Sequence, residues 1–282
     1  MNATAPPDRY ALVGHPVSHS WSPFIHGLFA RATQQNMQYR LIDVPPERFR
    51  AEALQFFVDG GKGLNVTVPH KQAAAELVNE LTPRANEAGS VNTIYQRASG
   101  ELIGDNTDGI GLVTDLVMNL GLAIEGKRIL ILGAGGATRG VLGPLLARQP
   151  AVLAIANRTV ARARDLARAF GQLGKLEASG FDGVEPASFD LVINATSASL
   201  EGSTPAVTPA AIGPDTVCYD MAYAKGETPF TRYAHERGAK AAHKGWGMLV
   251  EQAAESFLIW RGIRPQTRPV LELLTSSVTN PA

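Results

Sequence analysis

The chain has 282 residues, which at roughly 150 residues per domain predicts about two domains. Lysine plus arginine number 26, as do aspartate plus glutamate, so the net charge is zero and the basic excess of a nucleic-acid or anionic-membrane binder is missing. A hydrophobic content of 45% suffices for two cores, and a single cysteine, Cys218, excludes an internal disulfide and a cysteine-ligated zinc site.

The first ten residues lack a basic region followed by an apolar one, so no secretory signal is expected there. No uncharged apolar run approaches the roughly 18 residues of a membrane span, and a cytoplasmic location is expected. Residues 10–14 read as a strand, and 23–31 as a helix with Ser22 as N-cap and Pro23 at its first position. A strand over 37–44 and a helix over 46–58 come next. A strand over 64–68 leads into a helix running from Pro69 to residue 81. Residues 92–96 and 101–104 form a strand pair, and a helix starts near Asp108 and ends before Gly121.

The next block alternates regularly. Strands are expected over 127–132 and 151–156, each followed by a helix, over 139–148 and 159–169. Further strands fall at 191–194, 217–220 and 239–242, and a last helix at 246–260. Strand–helix–strand units at this spacing predict right-handed crossovers and a parallel sheet. Junctions near Asp108 and Gly245 divide the chain into 1–107, a substrate domain; 108–245, a nucleotide domain; and 246–282, a helical segment returning to the first. A cleft between two domains is a common seat for a small substrate.

The turn Gly133-Ala134-Gly135-Gly136-Ala137-Thr138 follows an apolar strand and opens a helix, the context a dinucleotide fingerprint requires. Gly133 allows the tight turn, and Gly135 admits a pyrophosphate close to the backbone at the helix N-terminus. Thr138 stands where the fingerprint has its third glycine. The second strand ends in Asn157-Arg158-Thr159 instead of the carboxylate that would accept from an NAD ribose. An arginine there pairs with a 2′-phosphate, so the expected cofactor is NADP(H).

Three other stretches carry polar chemistry. Lys71, in Asn65-Val66-Thr67-Val68-Pro69-His70-Lys71, begins a helix, where a cation opposes the dipole. The loop Gly104-Asp105-Asn106-Thr107-Asp108-Gly109 offers carboxylates, or simply caps the next helix. Ser18 and Ser20, around His19, can hold a carboxylate without a formal charge. The six histidines show no metal-ligand spacing, no G-x-S-x-G elbow is present, and Cys218 reads as core packing. On the last helix Met248 and Gln252 share a face, beside an apolar stripe of Leu249, Ala253, Phe257 and Trp260.

At these residues the chain resembles the shikimate dehydrogenase family. The resemblance rests on G-H-P-V-S-H-S-W-S-P-F-I-H (14–26), N-V-T-V-P-H-K (65–71), S-V-N-T (90–93) and G-D-N-T-D-G-I-G (104–111). It continues through G-A-G-G-A-T-R-G (133–140), A-N-R-T (156–159), N-A-T-S (194–197), Y-D-M-A-Y (219–223) and G-W-G-M-L-V-E-Q-A (245–253). It implies an α/β substrate domain, a Rossmann-type doubly wound NADP domain, and a C-terminal helix returning to the first domain.

It further implies Lys71 and Asp108 as a catalytic pair, and Ser18 and Ser20 as carboxylate ligands. Thr67, Asn92, Asp108, Tyr223 and Gln252 would complete the substrate set. Gly133, Ala134, Gly135, Gly136, Ala137, Asn157, Arg158, Thr159, Arg162, Met221 and Gly245 would hold the cofactor. The implied reaction is the NADPH-linked, reversible reduction of 3-dehydroshikimate to shikimate, by a cytoplasmic enzyme that is a possible homodimer and binds no metal. Two departures from the family pattern stand out: His70 where many members carry phenylalanine, and Pro83 where some carry an acid. The alternatives are a quinate or aminoshikimate dehydrogenase, a metabolite-sensing relative without catalysis, and a methylenetetrahydrofolate dehydrogenase-like reductase. An acid after the second strand, a lost lysine or aspartate, or missing S-H-S and D-N-T-D-G signals would mark these, and none of these marks is found.

Overall fold

The computed structural model describes residues 5–185 and 189–279. They fall into two compact units, one holding the chain up to Gly111 with Val250–Val270, the other Leu112–Leu249 with the residues from Leu271. The first unit has a six-stranded mixed sheet. Strands β1 (Asp8–Gly14), β2 (Met37–Asp43) and β3 (Gly61–Val66) are parallel, with β1 between the other two. The short strand β4 (Glu80–Leu81) lies at one edge, and β5 (Thr93–Gln96) and β6 (Leu102–Asp105) form an antiparallel hairpin. The sheet order is β2-β1-β3-β5-β6-β4. Helices α1 (Ser22–Ala32), α2 (Phe49–Val58), α3 (Lys71–Leu77) and α4 (Pro83–Ala88) alternate with these strands.

The register of this sheet aligns polar side chains. Asn65 pairs with Thr93, and Thr93 with Asp105, so three polar residues form one row across three strands. The apolar part of the unit's interior gathers Val13, Phe49, Leu64, Val66 and Ile94 in one cluster.

Helix α5 (Asp108–Thr114) carries the chain out of the first unit and passes into a π-helical turn at Asp115–Asn119. The second unit is a wholly parallel sheet. Its elements are β7 (Arg128–Leu132), α6 (Gly136–Leu146), β8 (Val152–Ala156), α7 (Val160–Phe170), β9 (Leu176–Ser179), β10 (Leu191–Asn194), β11 (Val217–Asp220), α8 (Pro229–Glu236) and β12 (Ala241–Lys244). The order β12-β11-β10-β7-β8-β9 reverses direction between β7 and β10, which makes the fold doubly wound. Both faces are covered. Ile129 and Ile131 join one cluster and Leu130 and Leu132 the other, as a strand with a period of two requires. Cys218 belongs to the second cluster, and burial pushes its thiol up to about 12, so the thiolate does not form near neutrality.

Helix α9 (Trp246–Arg261) returns the chain to the first unit, and α10 (Arg268–Thr279) ends the described chain. The unit boundaries fall inside α5 and α9, a few residues past Asp108 and Gly245, and inside α10 after Val270.

Several elements differ from the sequence expectation. Ser22 is not an N-cap: Trp21 occupies that position and its side chain makes no capping bond, while the Ser22 N–H donates to Ser20 Oγ at 3.2 Å. The helix expected up to residue 81 stops at Leu77 because Val78 turns extended and the backbone pairs with β6 instead. Thr82 then starts α4, its Oγ1 accepting from the Ala85 N–H. Strand β9 and helices α8 and α10 had no counterpart in the pattern. Helix α8 has a full capping box, with Thr228 and Thr231 bonding reciprocally. Helix α6 begins at Gly136, three residues before the expected start, because the glycine turn itself supplies the first turn.

Candidate active site

The row Asn65–Thr93–Asp105 ends at the loop that carries Asp108. Lys71 is the first residue of α3, directly after its cap residue His70. The His70 ring is buried, with Nε2 2.7 Å from the Val44 carbonyl oxygen and Phe49 stacked 4.5 Å away. Lys71 Nζ donates to Asp108 Oδ2 at 2.6 Å, with the two side chains 15% and 6% exposed. The ammonium thus has a carboxylate partner despite the unfavourable dipole at its helix start.

The other Asp108 oxygen accepts from Asn92 Nδ2 at 2.8 Å, and the Asp108 N–H donates to Asn106 Oδ1. Asn92 is itself fixed: its Oδ1 accepts from the Thr107 N–H at 2.8 Å and from Thr93 Oγ1 at 2.9 Å. Gln252 Oε1 lies 3.5 Å from both Asn92 Nδ2 and Thr107 Oγ1. One turn on along α9, Ser256 Oγ reaches Thr93 at 2.8 Å and accepts from Asn65 Nδ2 at 3.0 Å. Asn65 Oδ1 in turn accepts from Tyr39 at 2.8 Å. Fully desolvated amides and hydroxyls hold one geometry when every partner is present, so this network fixes where Asp108 points.

Lys71, Asp108, Asn92 and Gln252 are therefore gathered in one place. Thr67 follows β3 and is half-buried, its N–H bonded to the Val13 carbonyl. Ser18 is exposed and Ser20 half-buried, on a loop anchored by Asp43, which accepts from the Val17 N–H and pairs with His15 at 2.5 Å. The sequence motifs gave no role to Asn65, Thr93 or Thr107, which stand inside them, and did not include Ser256 or Asp43. The signal was available for Asn65, a polar residue between Leu64 and Val66 in a strand.

In the second unit the glycine turn sits at the switch point between β7 and β10. Gly133 has φ +107°, and a Cβ there would lie 3.1 Å from the Ala195 carbonyl oxygen. Gly135 caps α6 and has open space where a Cβ would project. The open approach to a helix N-terminus, whose first N–H groups lack intrahelical partners, fits a pyrophosphate. Ala134, Gly136 and Ala137 complete that turn. Past β8, Asn157 Nδ2 donates to the Thr159 carbonyl at 2.9 Å, while Arg158 and Thr159 are exposed and Arg162 stands in the first turn of α7. Among the described residues neither arginine is engaged in an ion pair, so both guanidiniums are free for a phosphate, and the set fits NADP(H).

At the end of β11, buried Asp220 accepts from Ser199, Thr228 and Asn194 and from the Ala222 N–H, which fixes the Met221–Tyr223 segment. Burial pushes the Asp220 carboxyl up, against those four donors. A side chain on Gly245 would run into the Met221 carbonyl, so these two residues touch through backbone alone. The Tyr223 ring packs 4.8 Å from Trp246. Among the described residues no cluster of three or more histidines, cysteines or acids suited to a metal ion occurs, and no helix is long and apolar enough to cross a membrane.

A doubly wound parallel sheet with this turn, and a separate α/β unit carrying a lysine–aspartate pair, define the two-domain nicotinamide-dependent oxidoreductase class. The chain belongs to the shikimate dehydrogenase family. Residues 12–94 match the shikimate dehydrogenase substrate binding domain, 116–208 the shikimate / quinate 5-dehydrogenase domain, and 245–275 the shikimate 5'-dehydrogenase C-terminal domain. The shikimate dehydrogenase (NADP(+)) of Methylococcus capsulatus is 55% identical over 95% of this chain and 96% of its own. An Ael1 enzyme from Pseudomonas putida superposes with a TM-score of 0.88 at 45% identity, over 95% of this chain and 98% of that one. The shikimate 5-dehydrogenase of Thermus thermophilus, solved with NADP(H) and shikimate, gives 0.84 at 30% identity, over 96% and 99%.

Proposed function

We propose that the chain catalyses the reversible, NADPH-linked reduction of 3-dehydroshikimate to shikimate in chorismate and aromatic amino-acid biosynthesis. The observation that carries this reading is the Lys71–Asp108 pair at 2.6 Å, locked by Asn92. NADPH, when bound, supplies the hydride that reduces the ring ketone. The ketone oxygen then gains negative charge, and the Lys71 ammonium stabilises it and delivers a proton from Nζ. Asp108 keeps that ammonium aimed. In the reverse direction the lysine–aspartate pair takes up the hydroxyl proton.

Ser18 and Ser20, with Tyr223 and Gln252, hold the substrate carboxylate as a neutral cradle. Thr67, Asn92 and Asp108 hold the ring hydroxyls. The glycine turn takes the pyrophosphate, Arg158 and Arg162 with Asn157 and Thr159 take the 2′-phosphate end, and Met221 and Gly245 shape the nicotinamide seat. On this reading the chain divides its labour between a substrate part and a cofactor part, works in the cytoplasm, and pairs as a homodimer. A single cysteine, Cys218, and so no internal disulfide, fits a reducing compartment, and light scattering checks the dimer.

An absorbance assay at the NADPH band, offering shikimate and quinate each with NADP+ and NAD+, tests the activity. Fastest turnover with shikimate and NADP+ is expected. Faster turnover of quinate, or preference for NAD+, would replace this reading with that of a related dehydrogenase, and no turnover would remove the enzyme reading.

A further inference from the structure

Joined to the candidate site through Asp105 is a chain of five charged residues that the proposed mechanism does not use. Arg84, on α4, forks onto Asp105: Nε donates to Oδ1 at 2.6 Å and Nη2 to Oδ2 at 2.8 Å. The third guanidinium nitrogen, Nη1, donates to Glu255 Oε1 on α9 at 3.0 Å. Glu255 Oε2 accepts from Arg264 at 2.7 Å, and Arg264 reaches back to Glu251 Oε2 at 3.0 Å. Asp105 and Glu251 are nearly buried, 7% and 4% exposed, so screening by water and salt is weak. Burial alone raises the Asp105 carboxyl, but the Arg84 fork, the Thr82 hydroxyl and the Asn106 N–H together hold it below the usual carboxylate range.

We infer that Arg84 is a positioning residue of the candidate site: its guanidinium ties the 105–108 loop to helix α9 and so sets Asp108 against Gln252. One end of the tie is covalently next to the site, since Asp105 is followed by Asn106, whose Oδ1 accepts from the Asp108 N–H. The other end is Glu255, three residues after Gln252 on the same helix. A planar fork holds two carboxylates at a fixed angle, which a lysine cannot do. The inference rests on the proposed shikimate reaction and adds to it the element that keeps its two substrate-facing groups in register.

The test compares Arg84→Ala, Arg84→Lys and Glu255→Gln with the unaltered chain by steady-state kinetics and thermal unfolding. Arg84→Ala is expected to raise KM for shikimate about tenfold and to lower kcat, with KM for NADP+ unchanged, because misplacing binding groups by a fraction of an ångström costs turnover steeply. Glu255→Gln, which keeps the Asp105 fork, is expected to show a smaller rise of the same kind, and Arg84→Lys to restore melting temperature more than KM. A role in folding alone would lower the melting temperature and the active fraction while leaving KM for shikimate unchanged. Shikimate KM and kcat within twofold of the unaltered chain for both Arg84→Lys and Glu255→Gln would overturn the inference. Failure of the unaltered chain to oxidise shikimate would overturn the dehydrogenase reading together with it, so the two failures are told apart by which protein shows them.

Discussion

Lys71 Nζ stands 2.6 Å from Asp108 Oδ2, although 37 positions separate the two residues in the chain. The lysine opens α3 and the aspartate opens α5, so two helix starts meet and place a cation and an anion in a site where both side chains are largely withdrawn from water. With little water to screen it, the ammonium acts more strongly on a substrate oxygen beside it than it would in bulk water.

Replacing Lys71 by alanine is expected to lower kcat by about 10²–10⁴-fold with little change in KM for shikimate, since the ammonium acts on charge that develops in the transition state. Asp108→Asn keeps the contact with Asn92 but loses the charge that orients the lysine, and kcat should fall while cofactor KM stays near its original value. Steady-state kinetics in both directions read this. A Lys71→Ala protein with most of its kcat intact would remove the lysine from the mechanism.

Arg158, exposed and in no ion pair among the described residues, should discriminate between cofactors. Arg158→Ala is expected to raise KM for NADP+ by about 10–100-fold, the range lost when a hydrogen-bonded charge pair is removed, and to leave NAD+ nearly unaffected. Equal losses with both cofactors would show that the arginine does not meet a 2′-phosphate.

Two glycines of one turn should behave differently. Gly133→Ala puts a Cβ at positive φ, 3.1 Å from the Ala195 oxygen, and is expected to cost about 1–3 kcal/mol of stability. Gly135→Ala meets open space and should fold as well as the original, yet bind NADP+ more weakly because its methyl occupies the pyrophosphate approach. Denaturant unfolding and fluorescence titration separate the two effects.

His26 supplies a pH signature. Its ring is fully buried and stacked 4.2 Å from Tyr39, and among the described residues neither ring nitrogen has a hydrogen-bond partner. Burial lowers the imidazole to about 3, with the neighbouring Asn65 opposing only in part. The unfolded chain binds a proton near pH 6.5 and the folded chain does not, so the ring's contribution is complete above pH 6.5 and is lost as pH falls toward 3. The total is roughly 4–5 kcal/mol at the acid end. His26→Phe should flatten the fall in unfolding free energy between pH 6 and 4 as read by urea titration. An unchanged slope would mean that the ring takes up protons without unfolding.

The sequence by itself determined the alternating strand–helix order of the second unit, the glycine turn and the arginine past its second strand, because these are local patterns set by side-chain period and backbone freedom. The motifs also marked Lys71, Asp108, Asn92 and Gln252 one by one. Only the tertiary structure decided that these four share a place, since sheet register and the return of α9 bring together positions far apart in the chain. It also decided where the helix after Pro69 ends. Local apolar spacing favoured continuation, but pairing of residues 79–82 with β6 satisfies the backbone better and frees Thr82 to cap α4. The Arg84 tie was hidden for the same reason: a surface-type residue in a helical stretch acquires meaning only from the two carboxylates that folding sets on either side of it.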